Sequence, residues 1–299
     1  MNKEKLIEII ENFSREKVVE VRQITGKGLV NDIYCVTTSS NKYIFRCDPN
    51  EGNTKRFKKE AWCIQQASKL GVLGPEVLSV DMTDSHPYML MSYIEGTNGE
   101  DVNDSKMIWR KLGEYARKIH SIEVQGFSEN MVSPGVFDDN WDRFLDYNIN
   151  SLNPNDKLLK AAFITEKQSE HIKKIFLGLK DFDFRFGLIH HDLSLNNTII
   201  DEKGSVYLLD WGSSQVSVTP HLDIAEILDS SLSEQSEEFQ AFLKGYVLEY
   251  AEYEKIKPEI SQLNVLVYMD KLRWAADRRP EKIEHMRQEL QKRLAKINM

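Results

Sequence analysis

A chain of 299 residues with 41% hydrophobic and 29% charged side chains can bury a large core, which fits a globular protein and excludes a disordered one. The 47 acidic against 39 basic residues leave a net charge of −8, so the basic face that a nucleic-acid backbone requires is not expected. No apolar run approaches the roughly 18 residues of a membrane span, the start Met1-Asn2-Lys3-Glu4-Lys5 is charged instead of an apolar leader, and the three cysteines form no Cys-x-x-Cys pair. These features predict a cytoplasmic protein with no nucleic-acid or membrane partner, and an acid balance that suits a small cationic ligand.

Leu6, Ile9, Ile10 and Phe13 share one face of a helix over residues 4–13. Three β-like runs follow, Val18–Ile24, Asp32–Thr38 and Tyr43–Cys47. Between the first two, Gly26 and Gly28 would let the backbone approach a ligand closely, although a Gly-x-Gly pair serves a plain hairpin turn equally well. The third run ends in Phe45-Arg46, and a guanidinium there can grip phosphate with two parallel bonds. Its expected partner is Glu60, in a helix predicted over 55–70; an exposed strand residue and a solvated helix charge are the competing readings. Gly71 and Pro75 end that helix. Glu76–Met82 and Pro87–Ile94 read as two more strands, the second running through Met91 and Ser92 to a turn at Gly96.

Five strands and a helix thus predict a small α+β lobe over residues 1–95, and the pattern then changes. Helices are expected from Asp104 or Ser105 to Ser121, over 141–158, over 165–180 and from Leu222 onward, with an irregular stretch at 123–140. Residues 96–299 therefore read as a larger, mainly helical lobe, interrupted by one hairpin pattern at 187–212.

That hairpin carries the densest signal. Leu188-Ile189-His190-His191-Asp192 leads to Asn197, then Thr198-Ile199-Ile200, a turn at Asp201–Gly204, and Val206–Leu209 ending in Asp210-Trp211-Gly212. Folding the two runs together returns Asp210 to the side of Asn197, and a carboxylate beside an amide oxygen suits a hard cation such as Mg²⁺. Asp192, five residues before Asn197, falls where a group orienting a substrate hydroxyl would sit.

This pattern resembles the catalytic and metal-binding segments of the protein-kinase-like fold, and more narrowly the aminoglycoside phosphotransferase and choline kinase superfamily, whose first motif usually reads His-Gly-Asp and whose second is an apolar run ending in Asp. The resemblance implies a bilobal α+β kinase-like fold, with a nucleotide-binding N-terminal lobe and a catalytic, substrate-binding C-terminal lobe. It implies Asp192 as catalytic base, Asn197 and Asp210 as Mg²⁺ ligands, and Gly26, Gly28, Arg46 and Glu60 around the phosphates of ATP. Met91 would guard the back of the adenine slot, and the backbone of Ser92 and Ile94 would read the adenine edge. The expected activity is Mg·ATP-dependent transfer of the γ-phosphoryl group to a hydroxyl of a small, cationic-type acceptor, with a choline/ethanolamine-type or amino-sugar kinase as the alternative. A catalytically idle nucleotide-binding regulatory protein on the same fold is the rival of another class. One departure is His191 at the family's usual Gly. His190 and Asp223 read as structural, Asp223 supporting the loop after the metal site. The acceptor wall is sought among Trp141, Asp142, Glu226, Asp229, Tyr268, Asp270, Trp274 and Asp277, residues that equally suit core packing and solvated helix faces.

Overall fold

The computed structural model describes residues 3–24, 31–50 and 52–297. Its helices are α1 (Lys3–Ser14), α2 (Lys55–Lys69), α3 (Ser105–Ile119), α4 (Trp141–Ser151), α5 (Lys157–Lys160), α6 (Glu166–Gly178), α7 (His221–Ser230), α8 (Glu237–Tyr246), α9 (Tyr250–Arg278) and α10 (Ile283–Ile297). Its strands are β1 (Val18–Ile24), β2 (Asp32–Thr38), β3 (Lys42–Cys47), β4 (Val77–Met82), β5 (Pro87–Ser92), β6 (Thr97–Asn98), β7 (Phe127–Ser133), β8 (Val136–Asp139), β9 (Phe186–Ile189), β10 (Thr198–Ile200), β11 (Val206–Leu208) and β12 (Gln215–Val218). The chain divides into two compact units, one of Met1–Ile108 with Ser194–Ser214, the other of Trp109–Leu193 with Gln215–Met299. No helix among the described residues is long and apolar enough to cross a membrane.

The first unit is built on an antiparallel sheet in the order β1-β2-β3-β5-β4. Period-2 alternation assigns the two faces of β5. Tyr88 and Leu90 join Phe45 and Cys47 beneath Leu6 and Ile10 of α1, while Met89 and Met91 meet Phe57 and Ala61 of α2 on the other side. A strand covered on both faces reads as a continuous apolar run, and Pro87-Tyr88-Met89-Leu90-Met91 does. Cys35, Cys47 and Cys63 are buried free thiols, with burial pushing Cys63 up to about 12.

The same unit holds a small sheet in the order β11-β10-β6. Its hairpin pairs Thr198 with Leu208 and Ile200 with Val206. The Asp201 carboxylate closes the turn by accepting the N–H groups of Ser205 (2.8 Å) and Lys203 (2.9 Å), which holds its carboxyl below the usual range. Gly96 lies against this hairpin, where a Cβ would meet the Ile200 carbonyl.

The second unit combines a four-stranded sheet, β8-β7-β12-β9, with helices. The β7–β8 hairpin occupies the stretch expected to be irregular. Its strands are largely polar (half-buried Ser128, exposed Glu129 and Asn130) and its register shifts twice, so the periodic signal is lost. The helix expected over 141–158 ends at Ser151 and resumes as α5 after Pro154, because Pro lacks the N–H and crowds the preceding turn.

Helices α3 and α8 meet backbone to backbone. A Cβ at Gly113 would overlap the Phe242 carbonyl, and one at Gly245 the Arg110 carbonyl. Gly113→Ala must therefore push α8 away, and it should destabilise the protein by ~1–3 kcal/mol. A urea midpoint lowered at constant slope would show this; an unchanged midpoint would mean the helices part without cost.

Candidate active site

In the first unit the hairpin closes as its sequence requires. The Leu209 N–H donates to the Asn197 carbonyl at 2.8 Å, which brings Asp210 back beside Asn197. The 3₁₀ turn Leu195–Asn197 is pinned from both sides: Thr198 Oγ1 donates to the Leu195 carbonyl (2.7 Å) and Asn98 Nδ2 to the Asn196 carbonyl (2.9 Å). Asp210 adopts a left-handed backbone (φ 51°, ψ 72°) and leads into the 3₁₀ turn Trp211–Ser213, anchored by the buried Trp211 ring. Asp residues tolerate this conformation better than most.

Arg46 and Glu60 are both buried, and the Arg46 guanidinium donates to the Glu60 carboxylate in a direct ion pair. Arg46 Nη2 also lies 3.5 Å from Asp210 Oδ1, and the Asp210 side chain is about half exposed at 47%. Burial pushes the Glu60 carboxyl above its ordinary value and the Asp210 charge adds to this, while Arg46 opposes it. One cation is thus shared by two carboxylates, one sealed and one open, and Arg46 Nε is buried with no hydrogen-bond partner among the described residues. Met91 is buried on the α2 side of β5. The Ser92 N–H is already given to the Glu76 carbonyl (2.9 Å), and its Oγ accepts the Glu76 N–H (2.8 Å). Ile94 is half-buried. Gly26 and Gly28 lie outside the described residues.

In the second unit, β9 delivers the His190 and His191 N–H groups, just before Asp192, onto a buried carboxylate. Asp223 accepts the His191 N–H at 2.8 Å and the His190 N–H at 3.4 Å, and His120 Nε2 lies 2.9 Å away. His120 Nδ1 lies 2.9 Å from the Tyr246 hydroxyl. His191 has φ 61°, the left-handed region that Gly enters freely. The family's usual Gly therefore marks a backbone requirement that this chain meets with His, stabilised by the bond to Asp223. The carboxylate of Asp223 holds the His190–His191 backbone, whereas the resemblance implies support of the loop after Asp210. Burial alone would raise the Asp223 carboxyl, but the His120 bond and charge and the His191 N–H outweigh it and hold it below 3.8. Its stabilising contribution is therefore complete above pH 3.8 and lost as pH falls through the folded-state value. In urea titrations across the acid range, the stability gap between wild type and Asp223→Asn should narrow below pH 3.8; a constant gap would contradict this.

The profile of the APH phosphotransferase enzyme family matches residues 20–258. The chain belongs to this family. Solved structures with the same fold include a thermostable mutant of aminoglycoside phosphotransferase APH(4)-Ia in ternary complex with ADP and hygromycin B, with TM-score 0.66 and 15% identity over 96% of each chain. A second is the GDP and kanamycin complex of APH(2")-IIia, with TM-score 0.67 and 15% identity over 96% of this chain and 97% of that one. A third, described as a fructosamine-3-kinase from Haemophilus somnus 129PT, has TM-score 0.63 and 12% identity over 97% and 96%. At these identities the likeness establishes the α+β, protein-kinase-like fold. No curated protein sequence matches the chain.

Several residues of this APH-family chain that could have lined an acceptor wall serve the packing of its helices. Asp229 accepts from the Tyr268 hydroxyl and from Arg293, whose guanidinium lies 3.4 Å from the Tyr268 ring centroid. Asp277 pairs with Lys157. Trp141 packs into an aromatic group with Phe127, Phe144, Phe184 and Phe186. Asp270 is different: burial raises its carboxyl against the opposing charge of Arg273, and Glu129 adds to the rise. Arg273 itself is committed to the buried Asp156 at 2.7 Å.

Proposed function

We propose that this phosphotransferase-family chain is a Mg·ATP-dependent small-molecule kinase, transferring the γ-phosphoryl group to a hydroxyl of a hydroxylated amine. The observation that carries the reading is the half-exposed Asp210 carboxylate 3.5 Å from the guanidinium of Arg46, itself held by the buried Glu60, at the end of a hairpin whose backbone bond from Leu209 to Asn197 returns Asp210 to the start of the same hairpin.

The donor set fits the proposed cation. No cluster of three or more His, Cys, Asp or Glu side chains able to hold a metal occurs among the described residues, and Mg²⁺ binds through one or two protein groups, completing its shell with water and phosphate oxygens. Asn197 and Asp210 would hold it; bound there, Mg²⁺ supplies charge neutralisation on the phosphates. Arg46 would place two N–H donors on the α- and β-phosphates, with Glu60 fixing its direction. The Ser92 N–H is engaged with Glu76, so the Ser92 carbonyl and the Ile94 N–H would read the adenine edge, with Met91 behind; Gly26 and Gly28 would cover the phosphates. Asp192 would accept a hydrogen bond from the acceptor hydroxyl and take its proton as the new O–P bond forms and the bond from the γ-phosphorus to the β-phosphate oxygen breaks.

For the acceptor, hygromycin B and kanamycin complexes and a fructosamine-3-kinase among the fold relatives all favour amino sugars. A choline/ethanolamine-type kinase is the second reading, supported by the acid balance of the chain alone. A cytoplasmic site of action accords with both.

The test is ADP release and thermal shift with Mg·ATP, and in parallel Mg·GTP, against amino sugars, aminoglycosides, choline and ethanolamine. Turnover with any amine-bearing alcohol supports the reading. Nucleotide binding without turnover on any acceptor would favour an idle regulatory protein, and no Mg-dependent nucleotide binding would defeat both.

A further inference from the structure

We infer that Lys59 is a positioning residue that fixes the backbone carrying Asp210 and thereby sets how tightly the site takes a divalent cation with its nucleotide; this rests on the reading given under Proposed function. Lys59 stands one position before Glu60 on α2 and is only 6% exposed. Its Nζ donates to the Gly212 carbonyl at 3.0 Å and to the Ser214 carbonyl at 2.7 Å. Both carbonyls belong to the turn that begins at Asp210, which the Ser214 N–H closes on the Trp211 carbonyl at 3.1 Å.

Four points make this contact more than packing. Burying an ammonium is unfavourable unless its protons find acceptors, so an aliphatic side chain would fill the same space at lower cost. The compact ammonium with rotatable protons suits two carbonyls converging on one point better than a planar guanidinium, whose donors point in fixed directions and would satisfy them only in part. Asp210 has a left-handed backbone, a state that persists only where its surroundings hold it. Gly212 is in direct register with that carboxylate: a Cβ built there would lie 3.5 Å from Asp210 Oδ1 and 3.9 Å from Glu60 Oε2. A shift of the Gly212–Ser214 carbonyls therefore shifts Asp210. Helix α2 thus carries adjacent buried charges with complementary tasks: Glu60 directs Arg46, and Lys59 holds the turn behind Asp210.

The test uses the full chain with Lys59→Met, which keeps length and loses charge, Lys59→Gln, which keeps one donor, and Lys59→Arg, which keeps the charge. Calorimetry measures AMP-PNP affinity with and without Mg²⁺, and thermal melting reports the folded fraction. Lys59→Met should lose about tenfold to a hundredfold in Mg-dependent affinity, with the Mg-free affinity unchanged and Lys59→Arg restoring part of the loss. If Lys59→Met does not fold, Lys59→Gln carries the same comparison. Equal Mg-dependent affinity in a folded variant, or an equal loss with and without Mg²⁺, overturns the inference alone. A wild-type protein that shows no Mg-dependent nucleotide binding overturns the kinase reading beneath it.

Discussion

Asp192→Asn should lose about three orders of magnitude in kcat while its Kd for Mg·ATP stays at the wild-type value. The substitution is isosteric, and the loop it sits in is fastened elsewhere: the His190 and His191 N–H groups end on Asp223, and Leu193 is buried. The backbone should therefore hold its course. What changes is the proton acceptor, since a carboxamide cannot take the hydroxyl proton and presents a donor where the carboxylate offered lone pairs. Nucleotide affinity is assigned to other side chains, so it supplies the internal control. Steady-state kinetics with the acceptor found by screening, set beside calorimetry with Mg·AMP-PNP, separates the two effects. Equal turnover by the purified variant would remove Asp192 as base; equal losses of kcat and nucleotide affinity would mean that the loop, not the carboxylate, had been disturbed.

Parts of this architecture were legible in the sequence because their causes are local. The strands Val18–Ile24 and Asp32–Thr38 have the bounds their alternation predicts, and the hairpin from Thr198 to Leu208 follows from two apolar runs around Asp201 and Gly204. The pairing of Arg46 with Glu60 comes from the family resemblance, and the ion pair is present; the local sequence alone allows a solvated helix charge, since Glu60 follows Lys58-Lys59. The rest depends on contacts that no window contains. His120 meets Asp223 across 103 positions, and Lys59 meets Ser214 across 155. Nothing in Lys58-Lys59 marks which lysine turns inward. Likewise Asp229 and Asp277 look free on a helical wheel, and only the fold shows Arg293 and Lys157 engaging them. The polar β7–β8 hairpin shows the same limit for secondary structure, since its pairing with its neighbours, not its composition, makes it a strand pair.

Asp210→Asn should instead damage nucleotide binding and turnover together, with Mg-dependent affinity falling by about a hundredfold or more. Asn is the informative substitution because it accepts the left-handed backbone at this position nearly as well as Asp, whereas Ala would add strain of its own. Charge balance gives the direction. Arg46 faces two carboxylates, Glu60 and Asp210. With both ionised the group has a surplus negative charge on its open side, which is where a cation can enter. Neutralising Asp210 removes the carboxylate on the open side and leaves Glu60 facing both Arg46 and the Lys59 ammonium, with no negative charge left over for Mg²⁺. It also removes one of the influences that raise the Glu60 carboxyl, so Glu60 should titrate lower in the variant. Carbon-13 NMR of the Glu60 carboxyl reads that shift without any nucleotide present, and calorimetry over a Mg²⁺ series reads the affinity. A variant that keeps wild-type Mg²⁺ dependence would show that the cation is held by other groups, even if the Glu60 titration moves as expected.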